Sequence, residues 1–335
     1  MQEKADENKK RSFLKVFMAV ALICAVAVAV VVNYTFIADS ILAIGYEPSA
    51  ELQSIINAVQ LTDAGSHIAM ATRPQLQDSA DFNEACPNSN ENASILGCYG
   101  ENKVFIYNVT NDELDGIHEA TFAHELLHAV WDRMAPWDRT ALEKSIDQVY
   151  SENSGLREHM QLYDDNSKYD ELHSVIGSQI SCEKMPSDLC RHYQKYFQSQ
   201  DKVARYYEKY SQKFAALSER AELLERQIEE YRTKIQKLQE EYDQKGATLS
   251  GDINIFNARA RTGYFKTVDE FEKAHSAIMA RRTALEADYN SLVETINSAN
   301  QLIEEYNTNI TRSNELQRSI DSKAAQPQPS TVEHN

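Results

Sequence analysis

Two apolar seams in the second half of this 335-residue chain do most to limit what it can fold into. Positions 217, 221, 224, 228, 231, 235, 238 and 242 carry Leu, Ala, Leu, Ile, Tyr, Ile, Leu and Tyr. Those steps alternate between four and three, the heptad pattern of a coiled coil. Positions 285, 289, 292, 296, 299, 303, 306 and 310 repeat it with Leu, Tyr, Leu, Ile, Ala, Ile, Tyr and Ile. The seams are equally long and lie symmetrically about Gly263 and Tyr264, within "NARARTGYFKTVDEF". Gly263 can end one helix, and Thr267 with Glu270 forms a T-x-x-E capping box for the next. The expectation is an antiparallel helical hairpin that turns back at Gly263, with Tyr242 near Leu285 and Leu217 near Ile310. Two separate helices recruiting partner chains are the competing arrangement. Each seam spans about 39 Å at the helical rise, and Gly246 and Gly251 should make the distal half less regular.

The N-terminus carries a different signal. Lys4, Lys9, Lys10, Arg11 and Lys15 crowd the start, and "FLKVFMAVALICAVAVAVVV" follows over residues 13–32. Apart from Lys15 the run is uncharged and long enough to cross a bilayer core of about 30 Å. A removed signal peptide usually has a shorter apolar region and a small-residue cleavage site, for which "NYTFIA" is a poor match. The expectation is an uncleaved single-pass anchor in a cell membrane, with the basic tail cytoplasmic and everything after about residue 36 exported. Net charge is −17, from 51 acidic and 34 basic residues. That balance argues against nucleic acid as a partner, because phosphate binding needs a basic face. The cysteines agree with export. Cys24 lies in the apolar run, and the other four form local pairs, Cys86 with Cys98 and Cys182 with Cys190. In an oxidising compartment such pairs become disulfides.

Between anchor and hairpin the chain reads as α+β. "PSAELQSIINAVQLT" shows helical spacing, and "HIAMATRPQL" reads as a strand. "DSADFNEACPNSNENAS" reads as a polar loop, and "ILGCYG" and "KVFIYNV" as strands joined by a turn at "ENK". Helices are expected over 115–133, 137–152, 154–163 and 168–180. The division is thus a cytoplasmic tail (1–12), an anchor (13–36), a mixed domain (37–198), the coiled-coil hairpin (199–322) and a disordered tail (323–335). The whole is α+β and predominantly helical.

The chemistry is concentrated in "TFAHELLHAV", residues 121–130. Residues four apart on a helix stand on one face, so His124 and His128 can turn their imidazoles to one metal ion. Glu125 lies close enough to meet a water on that ion. Zinc lowers the pKa of such a water to about 7, which lets a carboxylate take its proton. The flanking residues are uncharged, as expected of a helix buried nearly all round. Hydrogen-bonded core histidines are the plainer alternative, and two unpartnered histidines there would be costly. A third ligand is needed, and "YDELHSVIGSQ" offers Asp170, Glu171 and His173.

Together these segments resemble the zincin metallopeptidases, in particular the glutamate-type branch that includes thermolysin. There HExxH is followed some tens of residues later by a ligand Glu on a second helix. The resemblance implies a zincin-like domain with a small sheet, His124, His128 and Glu171 as zinc ligands, and Glu125 as general base. Asp170 stands where thermolysin-type enzymes have Asn. A group of uncharacterised bacterial membrane-anchored proteins is similar over residues 48–322. They share the "AHELLHA" helix, an "ELHS-x-x-G" segment and a helical C-terminal region with "FNARA". In zincins the edge strand of the sheet binds an extended peptide, and the resemblance gives that role to "KVFIYNV". A tyrosine or histidine often assists the oxyanion, with Tyr163, Tyr169, His173, His192 and Tyr193 as candidates. Glu171 and His173 point about 200° apart on a helix, so one ion cannot take both. The 43 residues from His128 to Glu171 suit the glutamate-type branch.

The expected function is a membrane-anchored, extracytoplasmic zinc metallopeptidase with a peptide or protein substrate. The alternative is a non-catalytic envelope scaffold or binding protein, with a protein partner on the coiled-coil arm.

Overall fold

A computed structural model describes residue 18 and residues 34–87, 95–162 and 167–324. The expected cytoplasmic tail, most of the expected anchor and residues 325–335 lie outside the described residues. Among the described residues no helix is long and apolar enough to cross a membrane. The chain divides into two compact units, one of residues 1–212 with 317–335 and one of residues 213–316.

The first unit is a small sheet surrounded by helices. Helix α1 (Tyr34–Ala43) is followed by α2 (Ala50–Val59), α3 (Asp63–Ala71), strand β1 (Gln75–Gln77) and α4 (Ser79–Ala85). Strands β2 (Gly97–Gly100) and β3 (Lys103–Tyr107) come next. Then come α5 (Ile117–Arg133), α6 (Pro136–Glu152), α7 (Ser154–His159), α8 (Lys168–Gln179) and α9 (Ser187–Tyr193). Ser49 caps α2, accepting from the Leu52 amide, and its apolar spacing buries Leu52, Ile55, Ile56 and Val59. The core joins these to Val104 and Ile106 of β3, Phe122, Leu126 and Leu127 of α5, and Leu172 and Ile176 of α8.

Two local expectations are corrected. Most of "HIAMATRPQL" is helix α3, and only Gln75–Gln77 are extended. The Thr62 hydroxyl accepts from the Gly65 amide and starts the helix upstream of the alternating residues. Gly65 is needed there, because a Cβ would collide with the Tyr196 carbonyl. The polar stretch after it contains α4, capped by Asp78, which accepts from the Ala80 and Asp81 amides. Phe82 anchors α4 in the core.

The sheet order is β1-β3-β2, with β1 parallel and β2 antiparallel to β3. "KVFIYNV" therefore supplies the central strand, which corrects its assignment as the edge. Alternating polarity shows that a strand is half-buried but not its rank in the sheet. The edge beside α5 is β2. Its hairpin turns through Glu101 and Asn102, both left-handed at φ 52° and 60°, as a two-residue primed turn requires. Cys86–Cys98 ties the end of α4 to β2, and Cys182–Cys190 closes the segment before α9.

One ion pair locks α1 to the end of α5. Arg133 donates from Nε and Nη2 to Asp39 at 2.8–3.0 Å and from Nη1 to the Tyr99 hydroxyl on β2 at 3.1 Å. The two charged side chains are only 11% and 8% exposed. Removing one member strands the other in low dielectric, so Asp39→Ala should cost about 3–5 kcal/mol. In a unit of this size that lowers the thermal midpoint by roughly 10 °C. An unchanged midpoint would show that Arg133 finds an equivalent partner.

The second unit is formed by two long helices, α10 (Gln200–Arg261), which begins in the first unit, and α11 (Val268–Ile320). Between them Gly263 takes φ +64°, and the Glu270 amide is held by the Thr267 hydroxyl while Glu270 Oε2 accepts from the Lys266 and Thr267 amides. The helices run antiparallel. Asn309 donates to the Leu217 carbonyl at 2.8 Å, and Tyr306 to Glu225 at 2.8 Å. Lys245 pairs with Asp288. Tyr242 meets Tyr289, with ring centroids 5.9 Å apart, one turn beyond the expected Leu285. Gly246 leaves room on Leu285's side, where a Cβ would lie 4.0 Å from Leu285 Cδ2. Neither Gly246 nor Gly251 interrupts α10, which corrects the expected irregularity.

Candidate metal centre

Helix α5 is buried nearly all round, from Ile117 through Trp131. Helix α8 packs along it through Leu172, Val175 and Ile176, and Gly177 allows the close approach. A Cβ on Gly177 would lie 2.6 Å from Leu127 Cδ1. This packing brings Glu171 under the two histidines one turn apart on α5. His124 Nε2 lies 3.1 Å from His128 Nε2 and 3.7 Å from Glu171 Oε1, and His128 Nε2 lies 3.4 Å from Glu171 Oε2.

Those three donors form the metal-competent set of the described residues. A tetrahedral ion bound at 2.0–2.1 Å needs donors about 3.3 Å apart, which is the size of this triangle. Glu171 Oε1 is buried without a hydrogen-bond partner, a costly state that a cation would relieve. His128 is oriented from behind, its Nδ1 lying 2.8 Å from Asp170 Oδ1, so Nε2 faces the centre. The residue types and spacing fit an ion. Two imidazoles and a carboxylate suit zinc and also other divalent metals.

Burial pushes His124 down to about 4 and keeps it neutral. Burial alone would lower His128, but hydrogen bonds to Asp170 and Glu171 outweigh it and hold the imidazole well above its ordinary range. Burial would raise Glu171, yet the surrounding imidazoles of His124, His128 and His159 keep it well below the usual carboxylate range. A divalent ion would satisfy all three donors at once and would displace a proton from His128. Burial pushes Glu125 up to about 8. Zinc titration at pH 7 in buffers of different ionisation enthalpy should release about one proton, from His128. Binding without proton release would contradict this charge assignment.

Glu125 sits beside the centre, held from above by β2. A Cβ at Gly97 would lie 2.7 Å from Glu125 Cγ, Glu125 Oε1 and Thr121 Cγ2, so only glycine lets the edge strand cross the carboxylate. His124, Glu125, His128, Asp170 and Glu171 open into one cleft of about 590 Å³.

His173 lies elsewhere. It is fully buried, with Nε2 2.9 Å from His192 Nε2, and it packs on Trp131 and Tyr193. Tyr193 donates to the His173 carbonyl, and Tyr169 donates to Asp147. None of these four residues lines the cleft, and Tyr163 falls outside the described residues. The cleft instead contains His159, whose Nε2 is 3.6 Å from Glu171 Oε1, together with Tyr207 and Tyr210. No sequence motif marks these three, because they reach the cleft through tertiary packing.

No protein-family model matches the chain, and neither a curated protein nor a solved structure does. Clusters of two histidines and a carboxylate occur on unrelated folds, so this one specifies a metal-binding set and no family.

Proposed function

We propose that this protein is a membrane-anchored, extracytoplasmic zinc metallopeptidase of the glutamate-type zincin kind. The observation that supports the reading best is Glu125 standing beside the His124, His128 and Glu171 donors in one open cleft. His124, His128 and Glu171 would hold zinc there, which would supply a Lewis acid and lower the pKa of a water towards neutral. Glu125 would take a proton from the attacking water as its oxygen bonds to the scissile carbonyl carbon. When the C–N bond breaks, Glu125 returns the proton to the leaving amine. Its raised proton affinity in a buried site suits that second step. His159 lines the cleft and can donate to the developing oxyanion. The exposed side of β2 offers backbone groups to an extended substrate by strand addition.

The basic tail and the apolar run over 13–32 support the anchored location, and the two disulfides suit an oxidising compartment. The metal reading is tested by zinc analysis of the full chain. About one zinc per chain is expected, removable by a chelator and absent from His124→Ala. A wild-type protein that takes up no zinc would overturn it.

A second reading, an envelope scaffold, draws on the paired helices of 62 and 53 residues. An intact Glu125 disfavours it, because loss of the base is the simplest route to an inactive site.

A further inference from the structure

The cleft over the metal centre has an aromatic wall that the proposed hydrolysis does not use. Tyr207 and Tyr210, three residues apart on α10, line the same cavity as His124, Glu125, His128 and Glu171. Their rings meet edge to face with centroids 5.4 Å apart. Both are half-buried, and burial pushes both phenols above their ordinary range, so they stay neutral at physiological pH. Pro87, Ile95 and Leu96 add apolar surface to the cavity. Its carboxyl groups among the described residues are Glu125, Asp170 and Glu171, beside the imidazoles of His124, His128 and His159, with no Lys or Arg. A second cavity of about 340 Å³, lined by charged residues including Lys184 and Arg205, shares Gln179 and Tyr207 with the first.

We propose that Tyr207 and Tyr210 form a side-chain subsite that seats a bulky apolar or aromatic residue of an extended polypeptide. Two rings set edge to face present an apolar surface and a ring edge, to which a third ring can add in a tilted or offset arrangement. A carboxylate side chain placed there would be desolvated against two ring surfaces, which costs free energy. Both tyrosines are only half-buried and line the cleft shared with His124, His128 and Glu171, so core packing alone does not account for them.

This inference rests on the peptidase reading for the course of the substrate backbone, yet the subsite can be tested by binding alone. The full chain, loaded with zinc and carrying Glu125→Gln so that nothing is cut, is titrated into fluorescent end-capped peptides. These differ only in carrying Phe, Ala or Asp at one position. The Phe peptide should bind about tenfold tighter than the Ala peptide, and the Asp peptide weakest. Tyr207→Ala with Tyr210→Ala should bring the Phe peptide to the Ala level, while Tyr207→Phe with Tyr210→Phe should keep the preference, because the rings make the contact. Zinc content and helicity verify that each variant is folded. Equal binding of Phe and Ala peptides, or alanine variants that weaken both equally, would overturn the subsite. Turnover by the wild type is scored separately: Phe-selective binding without any cleavage would defeat the peptidase reading and leave the subsite standing.

Discussion

Glu125→Gln is expected to keep its zinc and lose hydrolysis by about 10²–10⁴-fold. Glutamine matches glutamate in size, so the contact with β2 at Gly97 survives. It cannot accept the proton of the attacking water, and the return step to the leaving amine is lost with it. The paired readout matters because zinc content reports the proposed ligands His124, His128 and Glu171, and turnover reports the proposed base. Undiminished turnover in a zinc-replete Gln variant would remove Glu125 from the chemistry.

The second large effect separates the two side chains that compete for the third ligand position. Glu171 places its oxygens 3.4 and 3.7 Å from the two Nε2 atoms, whereas His173 points into the core towards His192. Glu171→Ala should weaken zinc binding by more than about 100-fold, the upper range for losing even an outer-shell partner. His173→Ala should leave zinc content near normal and act on the fold, since it empties a fully buried site between Trp131 and Tyr193. Deleting a buried ring of that size costs about 2–4 kcal/mol. Normal zinc in Glu171→Ala, with loss in His173→Ala, would transfer the ligand role to His173.

What could be read from the sequence divides along the range of the interactions involved. The pairing of His124 with His128 follows from helical spacing alone, and so does the burial of α5, from its uncharged flanks. The turn at Gly263 and its Thr267–Glu270 cap are equally local and stand in the structure. Glu171 required a resemblance, since its approach to α5 depends on helices packing across an intervening segment. Spacing on α8 could only separate Glu171 from His173, not choose between them. Short-range alternation misled at His67–Leu76, where a Thr62 cap and small residues carried the helix through an apparently extended pattern. The rank of β3 in the sheet was not legible, because strand order is set by nonlocal pairing. His159, Tyr207 and Tyr210 carried no motif, and they matter only because α7 and α10 bring them to the cleft. The candidates for oxyanion assistance rested on residue type alone, and packing turns Tyr169, His173, His192 and Tyr193 away from the cleft.

Peptide-bond hydrolysis at this centre is tested most directly by incubating the zinc-loaded full chain with a pool of unfolded, end-capped peptides in heavy-oxygen water. Mass spectrometry then reads the products. The expected result is a set of new carboxyl termini carrying one heavy oxygen, absent after chelation, restored by zinc, and absent from the Glu125→Gln protein. A zinc-replete wild-type protein that leaves the pool intact, or a Glu125→Gln protein that cuts it equally well, would contradict the account.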